Sequence, residues 1–599
     1  MAHERQRQLV WFGLALIIAL GFFLRSYHFA DWLHFELDQA RDARVIYTAL
    51  QDGVGELPLL GPKAGGTFLR LGPAYYYLQY VSALVFGGTP AGMAAVILIT
   101  STASIVVFFF LFRRMFPNWL ALFLTLAFSV SEYFVMYGRF AWNPNMLPFF
   151  LPLGMYALLR SVGGGERNPG RWFLVSIFSF GIATQLHFLA FLAVPVFVML
   201  FLIIRRPRFR LRTWGMALAI VGALYFPMFL NELATGGANT REFFGAITEK
   251  STKEDHVLLE KVIRNGAEHV LAGLVITTGF EGGTLPKVET AEGLLISCQG
   301  KCDIGKPYGL TMAVLLGLSV LSFCLLLFRE EDRRKRDFLV ATGLWFAITF
   351  TLFTPLAYGM APRFFLLSGP FFFVLIGCLS LVVTRAFPWH QLGHMLAFGL
   401  VLVLVTLSIS SLQLRFDELA RANHEPVDSP PDRILKERIR VTLEQQNRII
   451  DFLAAKSAEQ HYPVYMFSEP QHRRALKYLL EQRGIENAVL GFDGIYQEGV
   501  YFFVLRAQSD LEDALRKYRE NYTIGQTTSF GTLVAIELVP KPESIIGTRQ
   551  DFSIQKPSDS LAPARYTWSG YFNRSSGAIV EDSGNNLDRI EDEANNQSE

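Results

Sequence analysis

Long apolar runs separated by short polar stretches fill the first 410 or so residues. The first run spans about Leu9 to Leu24, behind a short basic start from Met1 to Gln8. Further apolar segments fall near 90–112, 119–137, 146–160, 172–187, 188–204, 214–230, 308–328, 338–356, 364–384 and 391–412, which makes eleven. A perpendicular helix needs about 20 residues to cross the hydrocarbon core, so several of these are short and their boundaries soft. No small-residue cleavage site follows the first run, so it reads as a retained helix with a cytoplasmic N-terminus. One stretch is ambiguous: Pro73 to Phe86, which contains Tyr75-Tyr76-Tyr77.

Charge decides that stretch. If it stays on the surface, loops on the N-terminal side hold eighteen Lys and Arg, and the opposite short loops hold seven. Cytoplasmic loops carry the excess of positive charge. Counting 73–86 as a span would invert everything downstream and put the run of five arginines over 205–212 outside. The tyrosine cluster also suits an interface, where a ring can be half wet. The expectation is a surface helix. The outer surface then comprises a first loop over 25–89, a short loop over 137–145, a long loop over 231–307, a short loop over 357–363, and everything after residue 412.

Beyond that point the pattern changes. Residues 434–457 read as an amphipathic helix, Pro463 to Phe467 as a buried strand, 470–484 as a second helix, and 500–505 and 532–539 as further strands. From 541 to 599 the chain is polar and poor in aliphatics, ending in acidic Glu591-Asp592-Glu593, and reads as a disordered tail. The predicted fold is an α-helical polytopic membrane protein of about eleven transmembrane helices over 1–412, an outer α/β or α+β domain over 413–540, and the tail.

Composition agrees with a membrane chain. Of 599 residues 51% are hydrophobic and 53 are Phe, which excludes a soluble globule. A net charge of +2, with no basic stripe and no zinc-ligand spacing, argues against nucleic acid as a partner. Cys324 and Cys378 lie in apolar runs and read as buried thiols. Cys298 and Cys302 flank Gln-Gly-Lys in the long outer loop, where an oxidising compartment favours a small disulfide. As a metal site the pair lacks a second Cys pair or a nearby His.

The densest chemistry lies just after the first apolar run, in His34-Phe35-Glu36-Leu37-Asp38-Gln39-Ala40-Arg41-Asp42-Ala43-Arg44. On a helix, Asp38, Arg41 and Asp42 share a face. Ala43, Ile46 and Leu50 form a stripe suited to lying on the bilayer. A solvated juxtamembrane turn is the plainer alternative.

Asp38-Gln39-Ala40-Arg41-Asp42-Ala43 resembles the D-[EQ]-x-x-[YD]-A first-loop signature of C-type glycosyltransferases, the polytopic enzymes related to protein O-mannosyltransferases and the lipid A aminoarabinose transferase. Gln39 replaces the frequent Glu, and Asp42 stands where Tyr is usual. The resemblance extends in order over residues 1–410, through Gly-Pro-Ala-Tyr-Tyr, the Trp-Asn-Pro loop and a late Arg363, and excludes the C-terminal domain. It implies transfer of a sugar from an undecaprenyl- or dolichyl-phosphate donor to a lipid, glycan or protein hydroxyl on the outer face of the cell (inner or plasma) membrane.

The residues suit that chemistry. A polyprenyl phosphate is a stable leaving group, so one carboxylate taking the acceptor proton late is enough for an inverting displacement. A retaining pair would need carboxylates opposed across the sugar. Asp38 is the candidate base, with Glu36 or Asp42 in support. Arg363, in Ala-Pro-Arg-Phe-Phe-Leu-Leu-Ser-Gly-Pro, resembles the family's R-[YF]-x-x-x-x-x-P pattern, which implies donor-phosphate contact; Lys63, Arg70 and Arg139 are further cations. Snorkelling at a helix end is the alternative for Arg363. Glu132 inside an apolar run, Gln185 and His187 at another helix end, and Asn143 in the second loop are candidates to line a sugar cavity. Helix-packing hydrogen bonds explain them as well. No metal ligand and no cofactor is assigned, and a divalent cation is left open. The rival readings are a transporter or flippase of lipid-linked sugars, which would favour inverted repeats, and a non-catalytic assembly subunit.

Overall fold

The computed structural model describes residues 2–64, 69–251, 256–289, 295–298, 301–386, 389–427, 432–489, 494–552, 565–573 and 578–579. The end of the chain with its acidic cluster lies outside the described residues. In the membrane part the helices are α1 (Ala2–Ser26), α2 (Leu37–Asp52), α3 (Ala74–Phe86), α4 (Pro90–Phe112), α5 (Asn118–Val130), α6 (Glu132–Tyr137), α7 (Leu147–Val162), α8 (Pro169–Leu186), α9 (Phe188–Arg205) and α10 (Leu211–Thr235). They continue as α11 (Ala238–Ser251), α12 (Leu258–Thr278), α13 (Lys301–Arg329), α14 (Arg333–Phe353), α15 (Phe372–Ala386) and α16 (His390–Ala422). Strands β1 (Lys287–Glu289) and β2 (Leu295–Ser297) form a small antiparallel pair before α13.

All eleven predicted apolar segments are helical. Among the described residues, eight helices are long and apolar enough to cross a membrane by length and composition: α1, α4, α9, α10, α13, α14, α15 with the turn before it, and α16. The expected single helix over 119–137 is two. It breaks at Ser131 (φ −56°, ψ 119°), whose hydroxyl donates to the Ile276 carbonyl at 2.6 Å. Among its described residues the stretch 231–307, expected to be a long loop, is largely helical, since α11 and α12 lie in it and α12 packs on α13 and α16.

Helix α3 has thirteen residues. At about 1.5 Å rise per residue it reaches roughly 20 Å, short of the hydrocarbon thickness. It lies against α2 and α4. The tyrosines, expected to be half wet, are otherwise: Tyr75 and Tyr76 are fully buried in protein. The stripe of α2 is also corrected. Ala40, Ala43, Ile46 and Ala49 are buried, because protein from α3 and from the C-terminal domain covers that face instead of lipid.

The C-terminal part adds α17 (Leu443–Gln460), β3 (Val464–Ser468), α18 (Pro470–Gln482), β4 (Asn487–Val489), β5 (Ile495–Tyr496), β6 (Val500–Arg506), α19 (Leu511–Arg516), β7 (Tyr522–Phe530) and β8 (Leu533–Pro540). A mixed sheet runs in the order β4-β3-β6-β8-β7. Strand β3 is parallel to β4 and β6, and β8 is antiparallel to β6 and β7. Helix α18 docks on α2, with Tyr478 against Phe35 at 5.5 Å between ring centroids. The loop before α2 is tied down by main-chain bonds from Leu443 to the Leu33 carbonyl (3.2 Å) and from Glu444 to the Asp31 carbonyl (2.9 Å).

Part of the stretch expected to be a loose tail is ordered against the body. Strand β9 (Ile545–Gly547) pairs with β5. Strand β10 (Arg565–Tyr566) and helix α20 (Trp568–Asn573) return to the loop between α2 and α3, and β11 (Ala578–Ile579) pairs with β10.

Candidate active site

The start of α2 sets the site. Glu36 precedes the helix in extended conformation, and its main-chain N–H donates to the Gln39 side chain at 3.1 Å, which fixes the first turn. The i, i+3 spacing then lets Arg41 donate to Asp38 Oδ1 at 2.9 Å. The same guanidinium donates to Asp42 Oδ1 from Nε at 3.0 Å and from Nη2 at 2.9 Å. One arginine thus spans both carboxylates.

The two carboxylates differ in surroundings. Asp38 keeps 40% of its side chain exposed, and its Oδ2 accepts from Trp142 Nε1 at 3.0 Å. Asp42 is fully buried, accepts from the Tyr76 hydroxyl at 2.9 Å, and leaves Oδ2 without a hydrogen-bond donor. Desolvation pushes Asp38 up, but Arg41, Arg363, Arg474 and the Trp142 bond outweigh it and hold Asp38 below the usual carboxylate range. Desolvation wins at Asp42: its carboxyl is raised despite Arg41, and the neighbouring Asp38 charge adds to the rise.

Arg363 completes the constellation. It sits in a 3₁₀ turn, Pro362–Leu366, with its guanidinium carbon 5.1 Å from the centre of the Trp142 ring. Trp142 therefore holds Asp38 by its edge and Arg363 by its face. Among the described residues Arg363 makes no ion pair with an acidic side chain. Beyond Pro362 opens a cavity of about 130 Å³ bounded by α12 and by Tyr133, Met360 and Phe365. Arg474, on α18, brings a cation from the C-terminal domain into the field at Asp38. A half-exposed, ionised carboxylate thus sits among three arginine charges, an arrangement that can receive a proton beside a bound anion.

Sequence reading singled out Asp38, Asp42 and Arg363, and the fold brings them together. It gives the other candidates other partners, two of them beside the site: Asn143 follows Trp142, and the His187 ring lies 5.6 Å from that of Phe364, next to Arg363. Glu36 joins His34 and Glu437: His34 Nδ1 lies 2.7 Å from Glu437 Oε1. Burial lifts Glu36 to about 7, against the pull of His34 and with the charges of Glu437 and Asp432 adding to it. Burial alone would lower His34, but Glu36 and Glu437 overcome it and raise the imidazole to about 9.

Arg139, expected near phosphate, instead closes the end of α1. Its Nη1 donates to the carbonyls of Leu24 (3.0 Å) and Arg25 (3.1 Å), and its Nη2 to those of Tyr27 (2.6 Å) and His28 (3.3 Å). Orphan carbonyls at a helix C-terminus attract such a cation. Asn143 donates to the Leu186 carbonyl at 2.6 Å. Gln185 accepts from the main chain of Ala74 at 3.2 Å and donates to the Leu224 carbonyl at 2.9 Å. It fills the notch that Gly72 leaves by having no Cβ. His187 caps α9 by accepting from Leu189 N–H at 3.2 Å. Asn143 and Gln185 thus tie neighbouring segments together, and His187 caps its own helix. Lys63 and Arg70 face each other across a bridge in the first loop; Arg70 is buried, and its main chain donates to Asn239 at 2.8 Å.

Glu132, placed in a sugar cavity by sequence, pairs with Arg415 at 2.9 Å. The network was invisible in sequence. Arg415 also meets Glu281 at 2.6 Å and Asp432 at 3.1 Å, while Arg440 meets Asp432 at 2.7 Å and Glu418 at 2.8 Å. Burial, with Asp432 nearby, lifts Glu281 to about 8 against the pull of Arg415. Cys298 and Cys302 are joined by a disulfide with Cα atoms 5.4 Å apart, while the residues 299–300 between them lie outside the described ones. Among the described residues no group of three or more His, Cys, Asp or Glu is placed to hold a metal ion. Trp142 and Arg474 were missed as site residues. Trp142 stood in the noted Trp-Asn-Pro loop, but nothing local marks Arg474 in His472-Arg473-Arg474.

With this geometry in place, comparison with known proteins is decisive for one stretch. Residues 71–230 match the family model of dolichyl-phosphate-mannose-protein mannosyltransferases. The match begins just before α3 and takes in Tyr76, Trp142, Asn143, Gln185 and His187. Over that stretch the chain is thus similar to this glycosyltransferase family. No curated protein matches it. Among solved structures it is similar to ArnT from Cupriavidus metallidurans bound to undecaprenyl phosphate, with 12% identity, a TM-score of 0.44, and coverage of 88% of this chain and 98% of that one. It is also similar to the oligosaccharyltransferase AglB from Archaeoglobus fulgidus in complex with an inhibitory peptide and a dolichol-phosphate, with 10% identity, a TM-score of 0.47, and coverage of 94% and 77%.

Proposed function

We propose that this protein transfers a sugar from a polyprenyl-phosphate donor to a hydroxyl on a lipid, glycan or protein at the outer membrane face. The observation that carries the reading is the placing of ionised, half-exposed Asp38 and of Arg363 on the edge and the face of one Trp142 ring. The acceptor oxygen attacks the sugar's anomeric carbon while the bond from that carbon to the phosphate oxygen breaks. The bonding pair leaves with the polyprenyl phosphate, and the acceptor proton passes to Asp38. Arg363, with the fields of Arg41 and Arg474, offsets the phosphate charge before and after cleavage. A carboxylate held below its ordinary range is a weak base, which suits a proton that leaves late, once the attacking oxygen has become acidic. Configuration inverts, because the single displacement attacks the anomeric carbon from the face opposite the leaving phosphate.

The family matched over 71–230 is described by a dolichyl-phosphate-mannose donor and a protein acceptor, and this supports the lipid-linked donor class. The arginine bias of the loops supports a cytoplasmic N-terminus and an outer C-terminal domain. The test is Asp38→Asn, measured for donor binding and for sugar transfer on the same purified protein. Transfer falls about 10²–10⁴-fold and donor binding holds within a few-fold. Preserved transfer removes Asp38 as the base; loss of both binding and transfer assigns it to holding substrate, as a flippase would use it.

A further inference from the structure

The segment 565–573 does something no transmembrane helix does: it crosses back from the far end of the chain onto the first outer loop. Its main chain adds to that loop as an edge. Leu59 N–H donates to the Tyr566 carbonyl at 2.9 Å, Trp568 N–H donates to the Leu57 carbonyl at 3.2 Å, and Pro58 and Thr567 form an antiparallel bridge. Tyr566 N–H donates to Asn231 at the end of α10 (3.1 Å), so the segment joins two outer elements. Trp568 Nε1 donates to the Tyr77 hydroxyl at 2.9 Å, and that hydroxyl donates to the Pro58 carbonyl at 3.1 Å. A side chain on Gly55 would collide with Ser569, so the loop is shaped for close approach here.

The segment also carries a charge inward. Arg565 is 2% exposed, and its guanidinium carbon lies 5.8 Å from the centre of the Tyr76 ring. Tyr76 is the residue whose hydroxyl holds Asp42, and Asp42 shares Arg41 with Asp38. Arg565 therefore stands one ring away from the paired carboxylates.

From this juxtaposition we infer that residues 565–573 are a strap completing the site, and that Arg565 is a positioning residue acting through Tyr76, Asp42 and Arg41 on Asp38. The inference rests on the sugar-transfer reading for its kinetic consequence, but the docking of the strap stands apart from it. Arg565 holds the Tyr76 ring by its face, which keeps the hydroxyl on Asp42 and leaves Arg41 oriented to share itself between the two carboxylates. Misplacement of a base by a fraction of a bond length slows chemistry without changing how the donor binds.

The test uses the full chain with a protease site inserted between 553 and 564, cleaved after purification, together with Arg565→Gln and Arg565→Lys. The severed strap stays with the body on gel filtration, and Trp568→Ala releases it. Arg565→Gln lowers kcat about 10–100-fold with donor KM within twofold, and Arg565→Lys recovers most of the loss because the charge over the ring is kept. Release of the wild-type strap with transfer unchanged overturns the proposal, and so does wild-type kcat in Arg565→Gln. Equal kcat losses in the Gln and Lys variants overturn the positioning role. If no form of the protein transfers sugar, the functional reading fails, while retention or release of the fragment still decides the strap.

Discussion

At the scale of single residues, the site depends on how one arginine is shared and another is left unshared. Arg41 is committed to Asp38 and Asp42, whereas Arg363 rests on Trp142 with no carboxylate of its own. Arg363→Ala therefore raises donor KM more than acceptor KM, and Arg363→Lys restores only part, because a point charge replaces a planar fork. Steady-state kinetics with each substrate varied in turn check this; unchanged donor KM and kcat in the alanine variant remove the phosphate role. His34 gives a pH signature. Its partners Glu36, Glu437 and Asp432 face it, and the nearby His472 is held neutral by burial. The imidazole rises from 6.5 unfolded to about 9 folded. Its stabilising contribution is complete below pH 6.5 and is lost as pH climbs through 9. Glu36, raised to about 7, also loses its contribution as pH rises, between 4.5 and 7. Thermal melts of wild type and His34→Gln should differ most at pH 6.5 and converge toward pH 9. A constant gap across that range refutes the assignment.

At the scale of elements, four polar residues marked as functional, Glu132, Arg139, Asn143 and Gln185, bond across to other segments. An apolar helix end inside the protein leaves carbonyls that must be met, and Arg139 meets those of α1. Arg139→Ala should cost stability by about 1.5–3 kcal/mol, as loss of charged hydrogen bonds does, with donor KM unchanged in the folded fraction. A raised donor KM at wild-type stability would return Arg139 to the phosphate site. Gln185 and Asn143 belong to the same class of tie. From sequence alone, a polar residue at a helix end that bonds a neighbouring carbonyl cannot be told from one that bonds a sugar. Both need the same donors at the same depth.

At the scale of the whole molecule, the C-terminal domain and the strap are built into the site region. Arg474 reaches the field at Asp38 from α18, and the Arg415–Arg440 network ties α6 and α16 to the chain around Asp432 and Glu437. Both belong on one side of the membrane with Asp38. A cysteine at exposed position 512 in α19 should react with an impermeant maleimide in intact cells, and one at exposed position 208 should not. The reverse labelling would invert the topology.

Sequence by itself determined the helical membrane body, the helical character of α3, the mixed α/β character of the C-terminal region, and the three residues, Asp38, Asp42 and Arg363, that the fold brings together. These follow from local properties that act residue by residue: apolar length, period along an element, and a short motif. Only the tertiary structure decided where the isolated charges went. Glu132, Glu281, Arg415 and Asp432 are separated by up to 300 positions. Whether each meets a substrate or a counter-ion depends on the distance between helices, which no local pattern encodes. The strap is the extreme case. The composition of 541–599 cannot support a core of its own, and residues 565–573 are ordered because the first loop and α10 supply the partners their backbone lacks.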